Sequence, residues 1–500
     1  MGRRLNIGNF EYLIAVYDIG KTNKKFKLFT DDLKPVFSTS TRIEEIKVKG
    51  IICDDVESII KWMQAVIEKI PKDQVKSIAI TTFGATGVLL DEKGELALPV
   101  VSYNQEISPE IKNNFYKTFG TPEELYLKTG TPPYGQLLNF GVQLFWHKEV
   151  RPEVYERTKS ILFLPQYLSY IMSGVKSIEV TSVGCHTYLY DITKQEWSHV
   201  AEYLEVPERA PEGFTSVWEP IGKSKWFKDA LITTGIHDSN ASLLPFLVTG
   251  GIENFILAST GTWCVFMCPG LPFKPSPDDV YRDVLYYIDA FGRPVRSSRF
   301  KGGYEFDYYM DLLRKKFNLG NGIIDMDVDE RILKTLLRNK EVFIVPTLAL
   351  GSGQFPKSRG RVIGEKTFYK DFKLAYHVLN LSIAVQTYFA IKVIFKSKSF
   401  KGLKVIVAGG FAKNTLYLRL LTAILRDAKI FKTQYPDLTS LGTALTAKAA
   451  YEGILLNQID KEIVKRMTAE EAVKPLEISE ELIESYIDEF EKHCLAEPFK

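Results

Sequence analysis

The chain has few cysteines and no long apolar run, and both absences limit what it can be. Five of its 500 residues are cysteines, scattered over Cys53, Cys185, Cys264, Cys268 and Cys494. This spacing fits neither a disulfide framework nor a zinc site with paired ligands. No stretch approaches the roughly 18–20 consecutive apolar residues of a membrane helix, and residues 1–8 lack the apolar segment of a signal peptide. We therefore expect a protein of the reducing cytoplasm, with no membrane partner.

A large excess of charge of one sign is also absent. The 64 Lys and Arg residues almost balance the 61 Asp and Glu residues, which gives a net charge of +3. This balance gives no indication of a nucleic acid or an anionic membrane as partner. The chain is too long for one ordinary hydrophobic core, so two domains are expected. The oligomeric state stays open between a monomer and a homodimer.

Two glycine-centred segments, far apart in the chain, have similar patterns. In the first, an apolar stretch over residues 12–19 leads into the turn Gly20-Lys21-Thr22-Asn23 and a second strand that reaches residue 30. In the second, residues 254–260 lead into Gly261 and a strand that reaches residue 267. Each pattern predicts a β-hairpin whose tip offers backbone N–H groups to a phosphate, with glycine allowing close approach. Either segment alone is equally typical of an ordinary hairpin. Side chains that can add hydrogen bonds at these turns are Lys21, Thr22, Asn23, Ser259, Thr260 and Thr262.

Strands and helices alternate in both halves of the chain, which predicts an α/β fold. Apolar periodicity predicts helices over 56–70, 143–148, 165–174, 240–247, 370–396, 415–426 and 440–452. Short apolar runs predict strands over 36–41, 77–82, 88–90, 99–102, 231–234, 341–346 and 403–408. The glycines near residue 250 mark a boundary between units over 1–250 and 251–455. Residues 456–500 are predicted to form a charged, peripheral helical extension.

Asp238 is the strongest candidate for a catalytic group. It follows a predicted buried strand, in the sequence Gly235-Ile-His237-Asp238. An alcohol that attacks a γ-phosphate needs a nearby base to accept its proton, and a carboxylate can do this. The alternative is a helix N-cap, a position that Asp also favours. His237 can bind a substrate or pack within its loop.

Two further positions suit a nucleotide. Asp18 ends the first strand directly before the first glycine turn, where a carboxylate can hold Mg²⁺ beside phosphate oxygens; the alternative is an Asp that caps the turn. Gly409 and Gly410 follow the strand 403–408, so the next helix N-terminus can approach a ligand, although paired glycines are also typical of a tight turn. Asn414 and the loop 351–353 are secondary candidates for an adenosine pocket.

These motifs, in order, resemble those of the FGGY carbohydrate kinases, a family of the sugar kinase, Hsp70 and actin superfamily. The resemblance covers roughly residues 10–455, and the segments over 81–84 and 88–91 are most similar to the L-fuculose and L-rhamnulose kinases. The motifs are Asp18-Ile-Gly20-Lys-Thr-Asn23, Thr81-Thr-Phe83-Gly84, His237-Asp238, Ser259-Thr-Gly261-Thr262 and Ala408-Gly-Gly410.

The resemblance implies two actin-like (ribonuclease H-like) lobes, each a mixed sheet flanked by helices, with a cleft between them for ATP and Mg²⁺. It implies that Asp238 is the catalytic base and that Asp18 lies near Mg²⁺. The two glycine turns would hold phosphates, while Gly409, Gly410 and Asn414 would face adenosine. The sugar would lie beside Phe83, Gly84, Gln105 and His237.

The implied reaction is ATP-dependent phosphorylation of a primary hydroxyl of a ketose, such as the deoxyketoses L-fuculose and L-rhamnulose. Alternatives are a kinase for xylulose, ribulose or glycerol, and a catalytically silent sugar-binding regulator on the same fold. Two departures from the family pattern leave the sugar open. Many relatives have an aromatic residue, one further residue, Asp and Arg where this chain has Tyr103-Asn-Gln105-Glu106, and a Lys where it has Gln143. Amide and carboxylate groups recognise hydroxyls differently.

Overall fold

A computed structural model describes residues 10–251, 253–349, 351–397 and 399–496. The N-terminal residues 1–8, for which no signal peptide is predicted, lie outside the described residues. The strands are β1 (Leu13–Ile19), β2 (Asn23–Thr30), β3 (Pro35–Arg42), β4 (Ile46–Val48), β5 (Ile51–Cys53), β6 (Val75–Thr82), β7 (Gly87–Leu90), β8 (Ser160–Phe163), β9 (Tyr190–Asp191), β10 (Glu196–Trp197), β11 (Pro220–Lys223), β12 (Leu231–Thr233), β13 (Ile236–His237), β14 (Phe255–Thr260), β15 (Cys264–Cys268), β16 (Val284–Ile288), β17 (Pro294–Phe300), β18 (Phe343–Val345), β19 (Arg361–Ile363), β20 (Lys404–Gly409), β21 (Lys429–Thr433) and β22 (Glu470–Ala472).

Helices flank these strands on both sides of the residue-250 boundary. They are α1 (Val56–Ile67), α2 (Pro109–Phe119), α3 (Pro122–Thr129), α4 (Phe140–Val150), α5 (Pro152–Arg157), α6 (Leu164–Ser173), α7 (Val180–Val183), α8 (His199–Tyr203), α9 (Val206–Arg209), α10 (Asp238–Thr249), α11 (Gly302–Phe317), α12 (Glu330–Asn339), α13 (Glu365–Phe368), α14 (Phe372–Phe395), α15 (Thr415–Ile424), α16 (Leu438–Glu452), α17 (Lys461–Met467) and α18 (Glu480–Leu495). We call the part of the chain through α10 the first lobe and the part from β14 onward the second lobe.

The two large sheets repeat one arrangement. The first has the order β11-β12-β6-β1-β2-β3, and the second has the order β16-β17-β15-β14-β20-β21-β22. In each, a central strand (β1 or β14) pairs antiparallel with the strand after its glycine turn (β2 or β15) and parallel with a later strand (β6 or β20). All seven residues of β1 are buried, as expected for a strand covered on both faces. The predicted α/β architecture of two mixed sheets is confirmed.

Helix α16 joins the lobes. It packs against α10 and against β1 and β6 of the first sheet. A Cβ built on Gly442 would lie 1.7 Å from the carbonyl oxygen of Ala241, so only glycine allows α16 and α10 to approach this closely. Ser77 Oγ donates a hydrogen bond to the carbonyl of Ala447 at 2.7 Å. The second lobe therefore continues into the core of the first.

Helix α14 is the central helix of the second lobe. Its length and composition would allow it to cross a membrane, but 78% of its most apolar window is buried inside the protein. Polar residues such as Asn380 and Gln386 interrupt the apolar residues of this helix, so its sequence contains no long run of consecutive apolar residues. Asp371 caps its start by accepting a hydrogen bond from Leu374 N at 2.8 Å.

Two segments differ from the sequence-based expectation. The predicted strand over 99–102 is wrong, because this segment forms only a single bridge, between Val101 and Cys53, before the chain turns at 102–105. Residues 456–496 are more than a peripheral helix. Strand β22 adds an edge to the second sheet, and α18 buries Ile483, Tyr486 and Phe490 in the second lobe's core.

Candidate active site

Asp238 is the first residue of α10, and His237 occupies the preceding cap position. Asp238 is therefore not the N-cap of this helix. The Asp238 Oδ1 atom lies 3.2 Å from His237 Nε2, and Ser239 Oγ donates to the same oxygen at 3.3 Å. About a third of the Asp238 side chain (34%) is exposed. A carboxylate at a helix N-terminus is stabilised by the helix dipole and remains accessible to a ligand.

Burial fixes the protonation of this pair. Burial raises the pKa of the Asp238 carboxyl to about 6 and lowers the pKa of His237 to about 4. At neutral pH the carboxyl is therefore ionised and the imidazole is neutral. The Asn240 side-chain amide lies 3.3 Å from His237 Nδ1 and can donate to it, so the ring proton is assigned to Nε2, where it donates to Cys185 Sγ at 3.7 Å. His237 thus places a neutral ring in contact with a carboxylate that can accept a proton.

Gly84 lies against the same imidazole. A Cβ on Gly84 would be 2.9 Å from His237 Nε2, inside normal van der Waals contact. We predict that Gly84→Ala displaces the ring and lowers kcat by about tenfold to a hundredfold, as expected for a small misplacement of a catalytic group, with the KM for ATP unchanged. Steady-state kinetics measures both values. Gly135→Ala is the matched control, since nothing lies within 4 Å of its Cβ position; equal kinetics for the two variants would contradict the prediction.

The first glycine turn places Asp18 in a chain of charges. Asp18 is opposite Lys25 in the β1–β2 register, and Asp18 Oδ2 lies 3.2 Å from Lys25 Nζ. Lys25 and Lys27 also face Asp437, with Nζ to Oδ2 distances of 3.7 and 2.8 Å. Burial raises the pKa of the Asp18 carboxyl although Lys25 opposes this. Because Asp437 caps α16 of the second lobe, these charges connect the first hairpin to the other lobe.

At its tip, this first turn is tight and open to solvent. A Cβ on Gly20 would lie 2.8 Å from the carbonyl oxygen of Asn23, so a larger residue would strain the turn. Thr22 and Asn23 are exposed. The tip therefore leaves these two polar side chains free for a ligand.

Lys21 points into the first lobe. Its Nζ lies 2.6 Å from Asp54 Oδ1, 2.8 Å from Glu45 Oε1 and 2.8 Å from Ser102 Oγ. It also lies over the rings of Phe83 and Tyr103, 4.8 and 4.3 Å from their centroids. The three ammonium donors are thus used within the first lobe instead of facing a phosphate.

Gln105, predicted to contact the sugar, has both ends of its amide engaged with the backbone. Its Oε1 accepts from Ile52 N at 2.7 Å, and its Nε2 donates to the carbonyl of Glu106 at 2.7 Å. These bonds hold the amide against the backbone of the first lobe, and its contact with the sugar stays a prediction. Gln143 likewise donates to the carbonyls of Ala85 and Leu137, both at 2.7 Å, and so fixes the loop after Gly84.

The second glycine turn and the turn after β20 share one cavity of about 460 Å³. Five of the predicted ATP-binding residues line it, namely Thr260, Gly261, Thr262, Gly410 and Asn414. Thr260 joins the two turns, because its Oγ1 accepts from Phe411 N at 3.0 Å. Asn414 caps α15 by accepting from Tyr417 N at 3.0 Å. A cavity of this volume is in the range of small-molecule and cofactor sites.

The remaining wall of this cavity was missed by the sequence analysis. It consists of Gly303, Phe306, Asp307, Met310, Arg314, Ile323, Ile324, Phe411 and Lys413. Five of these residues lie on α11, and the spacing 303, 306, 310 and 314 puts them on one helix face. A Cβ on Gly303 would lie 2.0 Å from the carbonyl of Gly261, so glycine here lets α11 contact the hairpin tip. The helical periodicity of α11 can be recognised in the sequence, but the sequence does not show that this face packs against the second glycine turn.

Three other candidates lie apart from this cavity's lining. Ser259 is inside β14, one residue before the lining begins. Gly409 lies behind the turn, against the backbone of Thr260. The loop over 351–353 does not line the cavity, because Gly353 N donates to Asp283 Oδ2 at 2.9 Å instead; Leu350 lies outside the described residues. The adenosine role of this loop stays a prediction.

The acidic groups suit a magnesium ion bound mainly through phosphate. Within the described ranges, no group of three or more His, Cys, Asp and Glu residues gathers as a metal cage. Mg²⁺ at phosphate sites is typically held by one or two carboxylates, phosphate oxygens and water. Asp18 and Asp238 are near enough that the Asp238 charge contributes to raising the pKa of Asp18, after burial. Asp18 fits that mode of binding, with Asp238 close by as the proton acceptor.

Comparison with known proteins identifies the family. The model described as "FGGY family of carbohydrate kinases, N-terminal domain" matches residues 13–225, and "Carbohydrate kinase FGGY, C-terminal domain" matches residues 253–454. Together they cover well over half of the chain. The chain belongs to the FGGY family of carbohydrate kinases. The resemblance drawn from five short motifs is confirmed.

Curated relatives of this FGGY protein include a rhamnulokinase of Halalkalibacterium halodurans, 25% identical over 266 residues, which are 50% of this chain and 55% of the relative. An L-fuculokinase of Escherichia coli is 25% identical over 202 residues, 39% of this chain and 41% of the relative. The chain thus spans about half the length of the curated relatives it matches.

Solved structures match over almost the whole chain. A carbohydrate kinase from Novosphingobium aromaticivorans has a TM-score of 0.76 at 23% identity, covering 97% of this chain and 99% of that one. A glycerol kinase of Plasmodium falciparum has a TM-score of 0.77 at 17% identity, covering 99% and 100%. These likenesses confirm the predicted two-lobed, actin-like fold.

Proposed function

We propose that this protein transfers the γ-phosphoryl group of ATP to a primary hydroxyl of a ketose, with the deoxyketoses L-fuculose and L-rhamnulose as the first candidates. The observation that carries the proposal is the Asp238–His237 pair. It is a partly exposed carboxylate at a helix N-terminus, ionised at neutral pH, with a neutral imidazole nitrogen 3.2 Å away. The choice of sugar draws support from the rhamnulokinase and L-fuculokinase relatives.

Asp238 acts as the base in this proposal. Its carboxylate accepts the hydroxyl proton while the sugar oxygen bonds to the γ-phosphorus and the bond from that phosphorus to the bridging oxygen breaks, which releases ADP. The Ser239 hydroxyl donates to Oδ1 at 3.3 Å, and the second carboxylate oxygen takes the proton.

The phosphates are bound by the turns. Gly261 leaves the tip of the second hairpin open, since only the Trp263 carbonyl, at 3.8 Å, lies near its Cβ position. Backbone N–H groups can therefore approach phosphate closely. The cavity beneath this turn takes the nucleoside between apolar groups of α11 and the glycine turn at Gly410. A magnesium ion held beside Asp18 would neutralise phosphate charge.

A panel assay tests the proposal. Purified protein with ATP and Mg²⁺ is mixed with L-fuculose, L-rhamnulose, D-xylulose, D-ribulose or glycerol, and ADP release is followed by a coupled assay, with phosphorylated product identified by mass spectrometry. We expect stoichiometric ADP and sugar phosphate with at least one deoxyketose. Sugar binding without any phosphorylated product would instead favour the silent regulator.

The pH dependence of kcat/KM follows from the pKa of Asp238. The base must be ionised, so activity is full above its pKa and is lost as pH falls. With a pKa of about 6, we predict that kcat/KM is flat near pH 7–8 and falls about tenfold per pH unit below pH 6. A pH profile measured at constant ionic strength shows this limb. A profile that is flat down to pH 4.5 would contradict the role of Asp238.

A further inference from the structure

Arg299 on β17 is a buried cation with an incomplete set of partners. Its side chain is 8% exposed, and its Nε donates to Asp283 Oδ1 at 3.0 Å. The other Asp283 oxygen accepts from Gly353 N at 2.9 Å, so each oxygen of this carboxylate has a hydrogen-bond donor. Among the described residues, the two terminal nitrogens of Arg299 donate no hydrogen bond, and they are not among the fully buried unpartnered atoms. The outer edge of a guanidinium is suited to bind two oxygens at once.

Two aromatic rings, one from each lobe, hold the guanidinium. Its Cζ lies 4.3 Å from the ring centroid of Tyr134 in the first lobe and 4.5 Å from that of Trp263 in the second lobe. Both distances are typical of cation–π contacts. Trp263 directly follows Thr262 of the second glycine turn, so Arg299 is fixed between the lobes beside the phosphate-binding hairpin.

An aromatic row leads from Arg299 to the catalytic pair. Starting at the guanidinium, the row consists of Tyr134, His186, Tyr287 and His237. Successive ring centroids lie 5.1, 5.7 and 5.5 Å apart. Tyr134 Oη and His186 Nδ1 are buried and have no hydrogen-bond partner among the described residues. The row therefore contains further polar atoms that a bound molecule or an ordered water can satisfy.

The charges of Asp238 and Arg299 reach the same side chains. Burial raises the pKa of Tyr103, Cys185 and Tyr287; the Asp238 carboxylate adds to each rise, and the Arg299 guanidinium opposes it. Such effects fade with distance. The side chains of Tyr103, Cys185 and Tyr287 are therefore within reach of both charges.

We propose that Arg299 is a specificity-determining residue that binds two neighbouring hydroxyls at the end of the sugar remote from the phosphorylated one. This rests on the proposed kinase function. Asp283 already neutralises the Arg299 charge, so neutral hydroxyls suit the two free nitrogens better than a carboxylate, which would bring a second negative charge beside Asp283.

The test compares Arg299→Lys with Arg296→Lys. Lysine keeps the positive charge near Asp283 but loses the planar pair of donors. Arg296 is the matched control, since it is a buried arginine on the same strand, 2.6 Å from Asp279, and it does not touch the aromatic row. Isothermal titration calorimetry measures the binding of L-fuculose, L-rhamnulose, D-xylulose, D-ribulose and D-gluconate to the wild type and both variants. For the same three proteins, steady-state kinetics is measured with any sugar that is phosphorylated, and thermal denaturation measures their stability.

We expect Arg299→Lys to weaken binding of the preferred neutral sugar by about tenfold to a hundredfold, the effect of losing hydrogen bonds from a charged donor. The KM for ATP should stay within about twofold of the wild type, and Arg296→Lys should leave sugar binding unchanged. A sugar analogue that lacks the remote hydroxyls should bind the wild type and Arg299→Lys equally.

Other results would overturn the proposal. Unchanged sugar binding in Arg299→Lys, or equal losses in both variants, would make Arg299 a structural residue. If the protein preferred D-gluconate, the group bound by Arg299 would be a carboxylate and not a pair of hydroxyls. Binding of none of the five compounds by the folded wild type would also overturn it. Sugar binding that depends on Arg299 without phosphoryl transfer would support the inference while refuting the kinase function.

Discussion

Replacing Asp238 by asparagine is expected to lower kcat by about 10²–10⁴-fold, the usual contribution of a general base. The amide has nearly the shape of the carboxylate, so the variant should fold, and its oxygen can still accept the hydrogen bond from Ser239 Oγ. It cannot accept the hydroxyl proton. The dissociation constant for ATP should change little, because the nucleotide cavity lies on the second lobe. Single-turnover phosphorylation and calorimetry with ATP separate the two effects.

The control for this variant is Asp229→Asn, which makes the same chemical change at an exposed surface ion pair with Lys223. It should retain wild-type kcat, since such pairs contribute little even to stability. The acid limb of the pH profile near pH 6 should vanish from the residual activity of Asp238→Asn and persist in Asp229→Asn. Near-normal turnover in Asp238→Asn would remove Asp238 from the role of base.

The sequence could predict the parts of this site that follow directly from strand ends. Asp18, His237 and Asp238 each follow or end a short apolar run, and the order of these runs is preserved in the fold. Parallel pairing of β1, β6 and β13 then brings their carboxyl ends to one edge of the first sheet. The local sequence pattern and the order of the strands are sufficient to predict these three residues, because the position of each one follows from the end of its own strand.

The contacts that the sequence could not predict are those between distant side chains. The Lys25–Asp437 contact joins residues more than 400 positions apart, and each is unremarkable in its local sequence. Arg299 likewise contacts Tyr134 across the lobes. Lys21 was expected at a phosphate because of its place in a glycine turn, but the carboxylates of Asp54 and Glu45 attract its side chain instead. Such pairings depend on tertiary packing, which no spacing in one chain reveals.

The two glycines at the end of β20 are a second example of what the sequence alone does not predict. In the sequence, nothing distinguishes Gly409 from Gly410: either glycine could let a helix N-terminus approach a nucleotide. In the structure they differ. Gly409 has a φ of +86°, and its Cβ would lie 1.9 Å from the carbonyl oxygen of Thr260, whereas the Cβ of Gly410 would have that oxygen at 3.8 Å. Gly410 lines the cavity and Gly409 supports it from behind.

We therefore predict that Gly409→Ala weakens ATP binding by about tenfold or more, since the shift of Thr260 needed to admit the methyl group exceeds the roughly 1 Å that disturbs a binding geometry. Thr260 pairs with Gly409 in the register of β14 and β20, and the residue after Thr260 is the open glycine of the phosphate turn. The backbone of Gly409 (φ +86°, ψ −147°) is in a region adopted almost only by glycine, which adds a cost of about 1–3 kcal/mol for alanine, so the midpoint of thermal unfolding should also fall.

Gly410→Ala is the matched control for this prediction. Its methyl group would meet no atom closer than 3.8 Å, so protein contacts alone should leave the fold and the unfolding temperature unchanged, and any loss of ATP affinity should come from the ligand side. Calorimetry with ATP, performed below the unfolding midpoint of Gly409→Ala and accompanied by circular dichroism, compares the two. Sugar binding should be retained in both, because Asp238 and Gly84 lie on the other lobe and Arg299 lies on β17, which pairs with neither β14 nor β20. If Gly409→Ala bound ATP like the wild type, the β14–β20 contact would not shape the phosphate turn; if it lost sugar and ATP binding equally, the effect would be general destabilisation.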